Sequence, residues 1–237
     1  MILQRHKPVA IWGESDAEKV TVCIQDAHVV TYVMDGKWRT LLPPMEAGGP
    51  YELTVTTDKG DSKVYKDVMY GEIWLAGGQS NMELELQNSK DGADAVSEAH
   101  NELVRFYYTP KVSYLCEELY QLEEKSSWEL CTPENVGRWS AVGYYFAKKL
   151  AAQLDVPVGI IGCNWGGTSA SCWMSREALE NDKVISSYVE EYDEIVKDQD
   201  LKPIVKRERN TLYIRQSLIE NVRNIMRLSQ TQPGKVR

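Results

Sequence analysis

At 237 residues the chain carries about one and a half domains' worth of sequence, at roughly 150 residues per domain. Its 43% hydrophobic and 26% charged residues are the make-up of a globular protein, which excludes disordered, collagenous and coiled-coil classes. The 27 basic and 35 acidic side chains leave a net charge of −8, a poor balance for general binding of nucleic acid or of an anionic membrane.

The charge is uneven: residues 201–237 hold nine basic and two acidic side chains, against 18 and 33 in residues 1–200. That basic tail reads either as a docking segment or as the solvated face of a helix. No apolar run reaches the ~18 residues that a membrane helix needs. The start, Met1 to Pro8, lacks the apolar stretch of a signal peptide. Five cysteines without a CxxC pair read as free thiols of a reducing, cytoplasmic setting. Three histidines and no HExxH leave no visible metal ligand set, so neither metal nor cofactor is expected.

Residues 1–66 read as short strands. Val20–Ile24, His28–Val33, Lys37–Leu42 and Tyr51–Thr57 are rich in β-branched and aromatic residues. Asp35-Gly36, Pro43-Pro44, Gly48-Gly49-Pro50 and Lys59-Gly60-Asp61 punctuate them. Such spacing predicts a small antiparallel β-sandwich over 1–66. Behind it, residues 67–200 predict an α/β domain with a parallel, flavodoxin-like sheet. Ile73–Ala76 is a buried strand, 91–101 a helix, Leu103–Tyr108 a strand and Trp139–Leu154 a helix. The apolar stripe of that last helix is Val142, Phe146, Leu150 and Leu154. Val158–Ile161 follows as a second buried strand, parallel to the first in one sheet. Ser175 is the N-cap of a short helix through Leu179, and 183–199 is an acidic helix. Ile214, Leu218, Val222 and Ile225 make the stripe of a final helix in the 201–237 tail.

Two strings carry chemistry. Ile73–Ala76 runs straight into Gly77-Gly78-Gln79-Ser80-Asn81, which lifts the Ser80 hydroxyl to the carboxyl end of a sheet, where open α/β folds place their sites. Glycines permit the tight turn, and the amides that follow can face a developing oxyanion. The same spacing also fits a plain serine N-cap after a turn. Val158–Ile161 ends likewise in Asn164-Trp165-Gly166-Gly167-Thr168, a second loop able to present N–H groups, or simply a turn.

With these strings in view, the chain resembles the sialate O-acetylesterases, serine esterases named for four blocks contributing Ser, Gly, Asn and His. The likeness runs from Met1 to about residue 200. It rests on Met1–Arg5 with Pro8–Gly13, on Asp35–Trp38, Leu42–Met45 and Ala47–Tyr51, and above all on Gly71–Leu75 with Gly78–Met82. Phe106–Pro110, Ser140–Tyr144, Trp165–Thr168, Trp173 and Ser175–Leu179 continue it. The resemblance implies Ser80 as nucleophile on an acetyl ester of a sugar, sialic acid or an acetylated plant polysaccharide. It implies an oxyanion site from the Ser80 N–H and that of Gly166 or Gly167, with Gln79, Asn81 and Trp165 toward substrate. An acetyl-serine would form and be released by water, without a metal.

The departures are equally specific. The third block, a Gln-Gly-Glu string, has no counterpart, and no aspartate stands three residues before His6, His28 or His100. The resemblance therefore implies the front part of such an esterase, ending after its glycine block. Two readings follow: an acetylesterase by descent, or a sugar- or partner-binding remnant without catalysis. An unfinished sheet edge would also favour a homo-oligomer. If Ser80 and Gly166–Gly167 form one site, hydroxyl and glycine amide must lie within ~8 Å, closing to 2.7–3.1 Å on a bound oxyanion.

Overall fold

The computed structural model describes residues 1–111, 121–123, 125–197 and the backbone of 213–214. Two compact units share the chain: Met1–Leu75 with Leu150–Gly159 and Glu208–Arg237, and Ala76–Lys149 with Ile160–Arg207.

In the first unit, β3 (Lys19–Ile24) pairs antiparallel with β4 (Ala27–Tyr32) on one side and with β6 (Gly48–Thr57) on the other. Next to β6 runs β7 (Ser62–Gly78), and β1 (Ile2–Gln4) lies parallel to it, Ile2 opposite Met69. A separate antiparallel sheet joins β2 (Val9–Glu14) to β5 (Lys37–Leu42). Alternation explains the layering. On β5, Trp38, Thr40 and Leu42 are buried while Lys37, Arg39 and Leu41 are exposed. Trp38 and Leu42 join Val20, Val22, Val55, Val68 and Tyr70 of the larger sheet in one apolar core. The expected Asp35-Gly36 turn is present, with φ of 52° and 76°, the two left-handed residues of a tight hairpin closed by Met34 and Lys37.

Gly71 shows why β7 carries glycine at this point. A Cβ there would lie 2.0 Å from the Pro157 carbonyl oxygen and 2.6 Å from its carbon, both rigid backbone. Gly71→Ala should therefore destabilise by about 2–3 kcal/mol, as overpacking does. Urea unfolding checks this; an unchanged midpoint would mean that the segment at Pro157 yields without cost.

The second unit contains the end of β7, α1 (Ser80–Glu83), α2 (Gly92–Ser97), β8 (Asn101–Tyr108), β9 (Glu129–Cys131) and α3 (Pro133–Val136). They are followed by α4 (Ala141–Leu154), whose last residues from Leu150 belong to the first unit, and β10 (Val158–Asn164), which enters the second unit at Ile160, then by α5 (Arg176–Glu180) and α6 (Ser187–Val196). The larger sheet has the order β4-β3-β6-β7-β10-β8-β9, with β1 beside β7. Glu72 N–H donates to Pro157 and, further along both strands, Trp165 N–H donates to Gly78. Both partners advance together, so β7 and β10 are parallel. The fold is α/β as expected, but the sheet is mixed, because β7 continues the antiparallel front sheet through 17 residues to the site.

Ile73–Ala76, expected as a buried strand, lies within β7 with Trp74 and Leu75 exposed and only Ala76 buried. Two further expectations are corrected. On α4 the buried face is Ala141, Tyr144, Ala147 and Ala151, whereas Val142, Phe146 and Leu154 are exposed. Small residues won because Gly143 sits tight on the sheet: a Cβ there would be 3.1 Å from Phe106 and 3.3 Å from Ile160. Secondly, Ile214 belongs to a short strand, β11 (Tyr213–Ile214), antiparallel to β2, not to a helix. An aromatic and a β-branched residue together suit a strand edge. Leu218, Val222 and Ile225 lie outside the described residues.

Ser175 does cap α5, its Oγ accepting the Ala178 N–H at 3.2 Å. Cys23, Cys131, Cys163 and Cys172 are free thiols, and Cys116 lies outside the described residues.

Candidate active site

The site grows from two strand ends. β7 stops at Gly78, whose φ of 153° a side chain adopts at a cost, and a Cβ there would press on Met82 at 3.2 Å. The chain then turns, and Ser80 opens α1 with its residue exposed. β10 stops at Asn164, and Trp165 N–H ties the two ends together through the Gly78 carbonyl at 3.0 Å. Gln79 adds a second tie, its Nε2 donating to the Thr168 carbonyl at 2.6 Å. Thr168 Oγ1 in turn donates to the Trp165 carbonyl and accepts from Trp173 Nε1 at 3.0 Å.

Ser80 and Gly166 are thereby neighbours. A Cβ on Gly166 would stand 3.3 Å from Ser80 Oγ and 3.6 Å from Ser80 Cα. Since a Cβ lies roughly 2.5 Å from its own amide nitrogen, the hydroxyl is within about 6 Å of the Gly166 N–H. Gly167 differs: its φ is 78° and a Cβ there would meet nothing within 4 Å. Of the expected group, the structure brings Ser80 next to Gly166. Gln79 and Trp165 serve as loop ties, Asn81 is exposed, and Gly167 shows no contact of this kind to Ser80.

A residue absent from the sequence reading completes the site. Glu83 lies one turn after Ser80 and accepts the Gly166 N–H on Oε2, while Oε1 accepts from Lys111 Nζ. The Lys111 ammonium holds the Glu83 carboxyl below its ordinary range, the Gly166 N–H helps, and burial opposes both. The i,i+3 spacing from Ser80 was the only available signal. Beside Glu83 opens a cavity of about 530 Å³, its rim including Tyr108, Lys111, Lys125 and Arg138. Burial pushes the Tyr108 hydroxyl up to about 12, and it donates to the Arg138 carbonyl at 3.0 Å. Arg138 pairs with Glu129.

No histidine hydrogen-bonds Ser80 among the described residues. His6 pairs with Glu46 at 2.7 Å, and His28 is exposed on β4. His100, in the unit that holds Ser80, is exposed after α2. Also among the described residues, no group of three His, Cys, Asp or Glu is placed to hold a metal ion. No helix there is long and apolar enough to cross a membrane.

Comparison with known proteins follows the same strings. The family model for carbohydrate esterases, described as sialic acid-specific acetylesterase, matches residues 70–205. A sialate O-acetylesterase of Rattus norvegicus is 32% identical over 200 residues, which cover 76% of this chain and 36% of that protein. The sialate O-acetylesterase of Homo sapiens is 30% identical over 198 residues, 76% of this chain and 38% of its own. Among solved structures, a carbohydrate acetylesterase from Xanthomonas citri superposes with a TM-score of 0.69 at 36% identity. That match covers 77% of this chain and 42% of the other. The chain thus spans well under half the length of the relatives it matches.

Proposed function

Because the chain belongs to the carbohydrate esterase family of sialic acid-specific acetylesterases, we propose that its site performs the acyl half of acetyl-ester hydrolysis on a sugar. Ser80 Oγ attacks the acetyl carbonyl, and the Gly166 N–H, with that of Ser80, receives the oxyanion. The single observation that carries this reading is the juxtaposition of Ser80 Oγ with Gly166 at the ends of two parallel strands. Collapse of that oxyanion breaks the ester C–O bond and releases the sugar hydroxyl, and water then hydrolyses the acetyl-serine to acetate and free Ser80. The cavity beside Glu83, lined by neither Ser80 nor Gly166 themselves, is proposed as the seat of the sugar. The lining sets Lys111, Lys125 and Arg138 against Glu83 and Glu85, and Arg138 is paired with Glu129, so the proposal covers sialic acid and an acetylated plant polysaccharide alike. The free thiols support a cytoplasmic setting, and a homo-oligomer remains part of the proposal.

A second reading, a sugar- or partner-binding remnant, draws on a specific observation. Glu83 already occupies the Gly166 N–H, and no histidine reaches Ser80.

Chemical rescue separates the two. Ser80 is exposed, so imidazole in solution can reach it and take the hydroxyl proton that a side-chain base would take. Acetyl release from an O-acetylated sialic acid should rise with imidazole in the native chain and exceed that of Ser80→Ala at every imidazole concentration. Equal curves for the two proteins would reject the serine reading in favour of the remnant.

A further inference from the structure

Glu83 makes a contact that the acyl chemistry would need for itself. Its carboxylate oxygen sits on the Gly166 N–H, and its other oxygen on the Lys111 ammonium. A Cβ on Gly166 would be 2.6 Å from that Glu83 oxygen and 3.3 Å from Ser80 Oγ, so carboxylate and hydroxyl share one side of Gly166. The glycine is what lets the carboxylate approach so closely. An anionic oxygen therefore already occupies the amide beside the hydroxyl, in the place where a charged acyl oxygen would develop.

We propose that Glu83 is an internal competitor for an anion seat formed by the Gly166 N–H and Lys111 Nζ, and that the seat accepts an external carboxylate once Glu83 leaves. Charge-assisted hydrogen bonds from an amide and an ammonium suit any small carboxylate. Acetate, the product of deacetylation, is the simplest probe. Glu83 and Lys111 are each about a third exposed in their side chains, at 33% and 36%, so solvent and small ions reach the pair. The Ser80–Glu83 spacing within α1 links the competitor to the nucleophile's own helix. The inference rests on the proposed role of Gly166 for its relevance to catalysis, whereas the seat itself does not depend on turnover.

A structural role for Glu83, merely pinning the Gly166 loop, makes a different forecast. The test follows the Gly166 amide by ¹H–¹⁵N NMR while sodium acetate is added, with sodium chloride at equal ionic strength as reference. In the native chain the Gly166 resonance should move only at the highest acetate concentrations. In Glu83→Ala it should shift at the outset and then titrate, with an apparent acetate affinity at least about tenfold tighter than native, the scale of one charge-assisted bond. Glu83→Ala combined with Lys111→Ala should lose most of that gain. A folded Glu83→Ala whose Gly166 amide ignores acetate would overturn the proposal, as would a native chain that titrates equally well. If Glu83→Ala does not fold, Glu83→Gln is used, which keeps the volume and weakens the bond. Loss of a dispersed spectrum in both variants would assign the carboxylate a structural role and also overturn the proposal. Failure of imidazole rescue leaves the acetate result standing, and failure of the acetate titration leaves the Ser80 test standing.

Discussion

Trp139→Ala should cost the unit that holds Ser80 about 3–5 kcal/mol, the range for removing a buried aromatic side chain. Trp139 is 0% exposed. Its ring stacks on Phe106 with centroids 5.1 Å apart at 27°, and tilts against Tyr144 at 6.5 Å. Its Nε1–H donates to Glu129 Oε2 at 2.7 Å, and its carbonyl accepts from Leu86 N–H at 2.8 Å. Truncation empties the space between β8 and α4 and removes one of the two donors on Glu129, the other being Arg138. Trp139→Phe keeps most of the volume and loses only the N–H, so it should cost less, roughly 1–3 kcal/mol for a bond to a charged acceptor. Urea unfolding followed by far-UV circular dichroism gives both numbers. A cost below about 1 kcal/mol for Trp139→Ala would mean that the site rests on other contacts. The consequence reaches function through Phe106. A Cβ on Gly162 would be 2.6 Å from its ring, and Gly162 lies on the strand that delivers Gly166. Loosening Phe106 should therefore blur the Ser80–Gly166 spacing before global unfolding.

What the sequence discloses is set by the range of the forces involved. β5 was legible to the residue because alternation between Trp38, Thr40, Leu42 and their exposed neighbours is a local signal. Ser80 and Gly166 were legible because each follows an apolar strand into a glycine-bearing loop, and both strands end at the same edge of a parallel pair, although only β10 is buried along its length. The face of α4 was misread because periodicity weighs side chains by size. A helix that packs closely on a sheet buries its small residues, here Ala147 and Ala151, and leaves Val142 and Phe146 outside. The length of β7 was hidden as well. Its exposed and buried positions change rhythm near Val68, where the strand gains partners on a new side, so one strand reads as two. Glu83 escaped notice for a different reason: its partners, Gly166 and Lys111, are 83 and 28 residues away. The i,i+3 spacing from Ser80 places the carboxylate on the serine's face but does not mark the distant amide it will meet.

Acetyl esters should be hydrolysed by these 237 residues, without added base, at a rate close to background. A serine hydroxyl is a weak nucleophile at neutral pH and needs an acceptor within ~2.6–3.2 Å. None of the three histidines is hydrogen-bonded to Ser80. The one carboxylate on its helix, Glu83, is held below the ordinary glutamate range by Lys111 and bonded to Gly166, so it is a poor proton acceptor. Serine hydrolases stripped of triad members retain only ~10³–10⁴-fold acceleration over water, from oxyanion contacts and binding. The Gly166 N–H, the oxyanion donor of the proposal, is bonded to Glu83, which places the expected rate at or below the bottom of that range. Ser80→Ala should then change the unassisted rate little. In a longer protein that supplies the base, the same substitution should remove turnover by a factor on the order of 10⁶. Free acetate released from a chromogenic acetyl ester, measured for the native chain and Ser80→Ala, decides the matter. Robust turnover lost in Ser80→Ala would reveal a base within this chain. His100→Ala is then the first substitution to make, because His100 alone of the three histidines shares a unit with Ser80.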